Sequence, residues 1–234
     1  DVLLENNGTL DKYIGDAIVA FYGAPIEVDD HELWACRTAI EMQEKLAILR
    51  KGWRAEGDRW PDIVHNMQNR IGISSGQMVT GNMGSEARMN YTMMGDNVNT
   101  AARLESSAKQ YGVYIQIADS TYQPVKDRVV VRDLDNVRVL GKNEPVKVWE
   151  LISEKGKEPE SYKKILPAYH EALDLYKNQE WSKAIEAFKA SDALEEMFGG
   201  RKTNPSRIYI PRCQHYLDNP PGDKWDGVWT LTSK

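Results

Sequence analysis

The run Asp11-Lys12-Tyr13-Ile14-Gly15-Asp16-Ala17-Ile18-Val19-Ala20-Phe21 constrains the chain more than any other stretch. Strand-forming apolar and aromatic residues stand on both sides of one Gly-Asp pair. That is a hairpin pattern: a strand over 10–14, a tight turn at Gly15-Asp16 and a returning strand over 17–21. Pairing on both sides holds the turn rigid while the Asp16 side chain projects. A carboxylate held in this way can bind a hard cation such as Mg²⁺; an ordinary turn aspartate is the plainer alternative. Gly23-Ala24-Pro25 breaks the returning strand.

Strands and helices alternate along the next 130 or so residues, with adjacent hairpins. Residues 2–7 read as the tail of a helix stopped at Asn7-Gly8, so the chain reads as beginning inside a domain. Asp29 with Glu32 has the spacing of a capping box, and a helix is expected from His31 to about Arg50 with Leu33, Cys36 and Ile40 on its core face. Residues 69–75 and 77–81 are expected to pair as a second hairpin through Gly76. Residues 81–85 read as a flexible connector and 89–94 as a strand. A helix follows over about 98–109 and ends at Gly112. Further strands are expected over 113–118, 129–131, 137–140 and 146–152, with a short helix over 119–124. The pattern predicts an α+β fold, a mostly antiparallel sheet with packed helices.

From residue 161 the composition turns helical. Tyr169, Leu173 and Tyr176 fall at i, i+4 and i+7, and Ala184 and Phe188 sit four apart on a second helix reaching about Met197. The pair resembles one tetratricopeptide hairpin. Pro205 after Asn204 opens a third helix, and Trp225 and Trp229 in the Pro- and Gly-rich tail are expected to dock as anchors. The expected division is therefore a domain over 1–152, a charged linker over 153–160 and a helical extension over 161–234. This extension reads either as a docked structural cap or as a regulatory, partner-binding element.

The 234 residues carry a net charge of −5, which argues against nonspecific nucleic-acid binding. The two cysteines, Cys36 and Cys213, lack metal-ligand spacing and read as buried thiols. No apolar run reaches membrane-spanning length.

A second stretch carries chemistry: Tyr91-Thr92-Met93-Met94-Gly95-Asp96-Asn97-Val98-Asn99-Thr100-Ala101-Ala102-Arg103-Leu104-Glu105. Asn99 and Arg103 lie one turn apart on the same face, near a helix start whose dipole end is positive. An amide beside a guanidinium can orient a sugar and hold a phosphoryl group. An isolated pair of this kind also serves as an ordinary surface pair.

Taken together, Asp11-Lys12-Tyr13-Ile14-Gly15-Asp16-Ala17, Phe21-Tyr22-Gly23-Ala24-Pro25, Arg70-Ile71-Gly72-Ile73-Ser74-Ser75-Gly76, Gly81-Asn82-Met83-Gly84-Ser85 and Tyr91 through Glu105 resemble the class III nucleotidyl cyclase catalytic domain, its bacterial adenylate cyclase branch most closely. Several motifs in the family's order make the likeness specific over 1–152. The resemblance implies a ferredoxin-like core lacking its first strand. It further implies that Asp16 is the second metal-binding aspartate, with two Mg²⁺ or Mn²⁺ ions in a complete site. Lys12 and Thr92 match the purine-reading positions and favour ATP over GTP. Asn99 matches the ribose-orienting asparagine, and Arg103 the arginine that offsets charge at the α-phosphate. The implied product is 3′,5′-cyclic AMP, in intracellular signalling.

The family's sites lie between two chains of a head-to-tail homodimer, so Lys12 and Asp16 would serve different sites. Such relatives usually carry an upstream sensor or membrane segment, with the catalytic part cytoplasmic. Two departures stand out. The first metal aspartate would lie upstream of Asp1, so these residues alone are expected to have little or no cyclase activity. Leu140 stands where the family commonly has a phosphate-binding lysine; Lys142 either reaches the phosphates instead or is a solvated turn lysine. A silent cyclase-like regulatory or dimerisation module is the competing reading, and guanylate cyclase a weaker one.

Overall fold

The computed structural model describes residues 1–137, 146–196, 201–222 and 225–229. Within them the chain is α+β. In order come α1 (Val2–Glu5), β1 (Thr9–Ile14), β2 (Ala17–Phe21), α2 (His31–Ala55), α3 (Asp62–His65), β3 (Ile71–Ile73), β4 (Val79–Ser85), β5 (Arg88–Met94), α4 (Asp96–Tyr111), β6 (Ile115–Ala118), α5 (Asp119–Val125), β7 (Val129–Val137), β8 (Val146–Glu154), α6 (Tyr162–Lys177), α7 (Trp181–Asp192) and α8 (Pro205–Asp218).

A four-stranded sheet of order β3-β6-β8-β7 forms the centre, and two two-stranded hairpins, β1-β2 and β4-β5, stand beside it. The central sheet is antiparallel except for the β3–β6 pair. Every residue of β6 is buried because helices cover both of its faces. Ile115 and Ile117 pack with Leu33, Cys36 and Ala39 of α2. On the opposite face Ala118 packs with Leu104 and Ala108 of α4, and Gln116 accepts a hydrogen bond from Ser107 at 2.7 Å. The period-2 alternation of a strand divides those four residues between two helices.

Gly72 sets how closely α4 approaches the sheet. A Cβ there would meet the Ala101 carbonyl oxygen at 2.1 Å and the Glu105 nitrogen at 2.4 Å. Only glycine permits that approach, and it fixes the height of the helix that carries Asn99 and Arg103.

Several expectations are corrected. The segments around Gly76 do not pair with each other: β3 runs parallel to β6, and β4 pairs with β5 over Val79↔Met94 to Ser85↔Arg88. Gly81 to Ser85 is therefore strand, not connector. Glycine and asparagine lower strand propensity there, but a continuous ladder with β5 outweighs it. The Asp29/Glu32 capping box does not form; Asp30 is the N-cap without a side-chain cap bond, and its carboxylate instead takes Arg128 at 2.7 Å. The runs at 129–131 and 137–140 are not two strands: β7 is continuous from Val129 to Val137, and 138–140 lie outside the described residues. It crosses the charged middle Arg132-Asp133-Leu134-Asp135 because each of those charges finds an ion-pair partner, buried for Arg132 and Asp135 and partly exposed for Asp133. Helix α2 runs on to Ala55, and α7 ends at Asp192 rather than near Met197.

The three C-terminal helices enclose their own core. Tyr169, Leu173, Tyr176, Ala184 and Phe188 are buried together, as their spacing predicts. Asn204 caps α8 by accepting from the Arg207 backbone N–H, with Pro205 next to it in the first turn. Trp225 docks against Tyr176, Trp181 and Tyr216 with ring centroids 5.1–5.2 Å apart, and Trp229 lies 5.4 Å from Tyr216.

This layer is fastened to β7. The Tyr209 hydroxyl donates to the Leu134 carbonyl at 2.5 Å, and Arg212 donates to Asp135 at 2.6 Å. Arg132, fully buried, donates to Glu150 at 2.7 Å and also to Glu195. Both cysteines are buried free thiols, each pushed up to about 12 by burial. No helix among the described residues is long and apolar enough to cross a membrane.

Candidate active site

The β1-β2 hairpin closes as the sequence predicts. Ile14 pairs with Ala17, leaving Gly15-Asp16 as the two-residue loop. Gly15 takes φ +63°, a left-handed value that a residue with a Cβ resists. Asp16 is exposed at the tip and has no hydrogen bond or ion pair among the described residues.

Below the tip the ladder slips. Leu10 faces Ala20 and Lys12 faces Val19, so Asp11 is the extra residue of a bulge. In a regular strand Asp11 and Lys12 would point to opposite faces. Here both reach the same atom. Lys12 Nζ donates to Thr92 Oγ1 at 3.3 Å, and Thr92 Oγ1 donates to Asp11 Oδ2 at 2.8 Å. Lys12 Nζ also stands 3.5 Å from Asp11 Oδ2. The Asp11 side chain is 3% exposed and that of Lys12 45%, so the carboxylate is the buried base of the cluster and the ammonium its open end. Phe21 and Tyr91, with ring centroids 6.1 Å apart, pack the two hairpins together.

Thr92 lies on β5, and α4 starts directly after it at Asp96. On α4, Asn99 and Arg103 are exposed and line an open groove of about 440 Å³ with Ala102, Ser106, Ser107 and Gln110. Neither makes a hydrogen bond or ion pair among the described residues, which leaves amide and guanidinium free for a ligand. A more enclosed cavity of about 250 Å³ lies between β7 and the helical layer. Its carboxylates are already engaged: Asp133 holds Lys147 and Lys177, and Asp135 holds Arg212.

The structure thus brings Lys12 to Thr92 and Asn99 to Arg103. Lys142, and the Leu140 position beside it, lie outside the described residues. Sequence reasoning missed Asp11. Nothing in an Asp-Lys pair announces a bulge, and strict alternation assigns the aspartate to the wrong face.

Asp16 supplies one carboxylate toward a divalent cation, as expected of a single metal-binding aspartate. A hard divalent cation takes six or more oxygens. Asp16 offers one carboxylate, and the described residues contain no group of three or more His, Cys, Asp or Glu side chains placed to hold a metal. Asp16 by itself is one ligand of a site, not a site.

A hairpin carrying a lysine and a tip aspartate, a threonine strand beside it, and an Asn–Arg helix packed on a central sheet define a nucleotidyl cyclase type of domain. The chain belongs to that family: the model of the adenylate and guanylate cyclase catalytic domain matches residues 2–153. Cyclases of this class depend on divalent metal in general.

A Dictyostelium discoideum protein, "Adenylate cyclase, terminal-differentiation specific", is 31% identical over 215 residues, covering 90% of this chain and 10% of its own length. This match extends well past residue 153 into the helical layer. The chain spans about a tenth of that relative's length. Among solved structures, the adenylyl cyclase CyaB from P. aeruginosa is 31% identical with a TM-score of 0.55, covering 68% of this chain and 78% of that one. The guanylyl cyclase Cya2 is similar to the same degree, at 31% identity and a TM-score of 0.56, covering 67% and 76%.

Proposed function

We propose that the gene product carrying this chain is an adenylate cyclase, forming 3′,5′-cyclic AMP and pyrophosphate from ATP. The observation that carries the choice of ATP is the Lys12–Thr92 contact, 3.3 Å between residues 80 positions apart in sequence. An ammonium donates to the acceptor ring nitrogen N1 of adenine, and a hydroxyl oxygen accepts from its exocyclic amine. Guanine presents the opposite pattern at both places. Family membership alone leaves the base open, since one adenylyl and one guanylyl cyclase structure resemble the chain to the same degree.

The chemistry is in-line displacement at phosphorus. The ribose 3′-oxygen attacks the α-phosphate, its proton leaves, and pyrophosphate departs. Asn99 orients the ribose, and Arg103 offsets the charge that grows on the phosphoryl oxygens. Asp16 would contribute one carboxylate toward the divalent metal, which when bound would lower the pKa of the ribose 3′-hydroxyl and offset phosphate charge.

The site is shared in a head-to-tail homodimer, with Lys12, Thr92, Asn99 and Arg103 of one copy facing Asp16 of the other. Support comes from the hairpins, which expose Tyr13 (67%), Ile14 (62%), Ile18 (50%), Val79 (68%) and Met94 (62%), apolar side chains that a partner copy would cover. The alternatives are a catalytically silent dimerisation module and a guanylate cyclase. The freely presented Asn99 and Arg103 favour an active domain over the silent one.

The test is Lys12→Glu in the full-length gene product, assayed with ATP and with GTP. The reading expects cyclic AMP formation to fall at least tenfold, with GTP use rising relative to ATP. Unchanged nucleotide preference overturns the assignment of Lys12.

A further inference from the structure

The purine-reading pair rests on a third residue whose chemistry dictates which way its hydrogen bonds run. We propose that Asp11 is a specificity-determining positioning residue: it fixes the proton of the Thr92 hydroxyl so that Thr92 presents only lone pairs to the base. The inference rests on the reading of Lys12 and Thr92 as the purine-binding pair.

An ionised carboxylate can only accept, and an ammonium can only donate. Thr92 Oγ1 lies 2.8 Å from Asp11 Oδ2 and 3.3 Å from Lys12 Nζ. The single hydroxyl proton must therefore point at Asp11, and one lone pair must take Lys12. What remains on Thr92 is a second lone pair, an acceptor with no donor beside it. The exocyclic amine of adenine donates to such an atom. The 6-oxo group of guanine or hypoxanthine is itself an acceptor and is repelled. A threonine hydroxyl without this constraint would rotate and serve either base. Asp11 thus turns an ambiguous hydroxyl into one of fixed polarity. It also holds Lys12, leaving a donor of the ammonium for the ring nitrogen.

Two further observations point to a dedicated arrangement. The ladder breaks register at Asp11 alone in this hairpin, which is what brings its side chain to the Lys12 face. Asp11 Oδ1 is buried without a hydrogen-bond partner, a cost that packing alone does not explain. Asp11 does not touch the base. It acts through Thr92.

The experiment measures kcat/KM for ATP and for inosine triphosphate, which differs at the 6-position without the 2-amino group of GTP. The full-length gene product is compared with Asp11→Asn, Thr92→Val and the double variant. Asp11→Asn lets the amide donate to Thr92 and frees the hydroxyl proton to turn outward. The ATP preference is expected to fall about tenfold or more, and Asp11→Asn is expected to have no further effect on the ratio in the Thr92→Val background. Equal loss on both substrates, with the ratio kept, overturns the proposal. So does the same shift in the Thr92→Val background.

If Asp11→Asn does not fold, Thr92→Val decides alone. Removing a hydroxyl that shows only lone pairs raises relative use of inosine triphosphate. Removing one that donates to the 6-oxo group lowers it, and that result refutes the fixed polarity. A wild-type protein that forms no cyclic nucleotide refutes the cyclase reading itself. A wild-type protein that prefers ATP, with an unmoved ratio in Asp11→Asn, refutes only the role of Asp11.

Discussion

Arg132→Met is expected to loosen the helical layer from the sheet, by an amount set by what the arginine leaves behind. Arg132 is fully buried on β7 and donates to Glu150 and to Glu195, whose side chains are 7% and 1% exposed. Its guanidinium also lies 5.1 Å from the Tyr169 ring centroid. Removing one partner of a buried ion pair costs about 3–5 kcal/mol, because a charge is left uncompensated. Glu195 keeps Arg201 at 2.9 Å, so the orphaned group is Glu150 and the lower end of that range applies. At about 2–4 °C per kcal/mol for a chain of this size, the melting temperature should fall by roughly 6–12 °C.

The pH dependence has a definite sign. Burial raises the Glu150 pKa and Arg132 opposes the rise. Without Arg132 it rises further, and a group whose folded pKa is raised loses stability as pH climbs through that value. The deficit of the variant should be largest near pH 7.5 and shrink as pH approaches the ordinary glutamate value of 4.5. Thermal unfolding followed by circular dichroism at several pH values checks both points. A shift under about 2 °C at pH 7.5, or a deficit that grows on acidification, would refute the account of this network.

Other outcomes follow from the same geometry. Arg103→Ala should lower kcat by about 10²–10³ with little change in KM for ATP, as loss of a transition-state donor does; a change within threefold removes Arg103 from the chemistry. Ile18→Glu, on the exposed hairpin face, should shift the protein to monomer in sedimentation and abolish turnover, whereas an unaltered dimer would place the interface elsewhere. Cys36 and Cys213, buried with thiols pushed up to about 12, should resist a thiol reagent at pH 8 until the protein is denatured. Rapid labelling of the native protein would contradict their burial.

The hairpin, the α4 helix and the helical spacing of Tyr169, Tyr176 and Phe188 were legible because each is a local pattern. Turn residues, caps and periodicity act within a few positions. Pairing between strands distant in sequence was not. The strands flanking Gly76 look like a hairpin, yet β3 finds β6 about forty residues on, since both faces of the buried sheet must be covered by helices. The site followed the same division. Lys12, Thr92, Asn99 and Arg103 stand in recognisable stretches. Asp11 depends on a bulge, a property of the pairing between two strands rather than of either one. The charged middle of β7 was unreadable for a related reason: its partners, Glu150, Glu195 and Arg212, come from distant parts of the chain.

The most direct measurement is the identity of the cyclic nucleotide. Full-length gene product is incubated with ATP or GTP and a divalent cation, and the products are resolved by mass. The account predicts 3′,5′-cyclic AMP and pyrophosphate from ATP, with GTP converted at least tenfold more slowly. Cyclic GMP as the main product, or no cyclic nucleotide from either substrate, would contradict it.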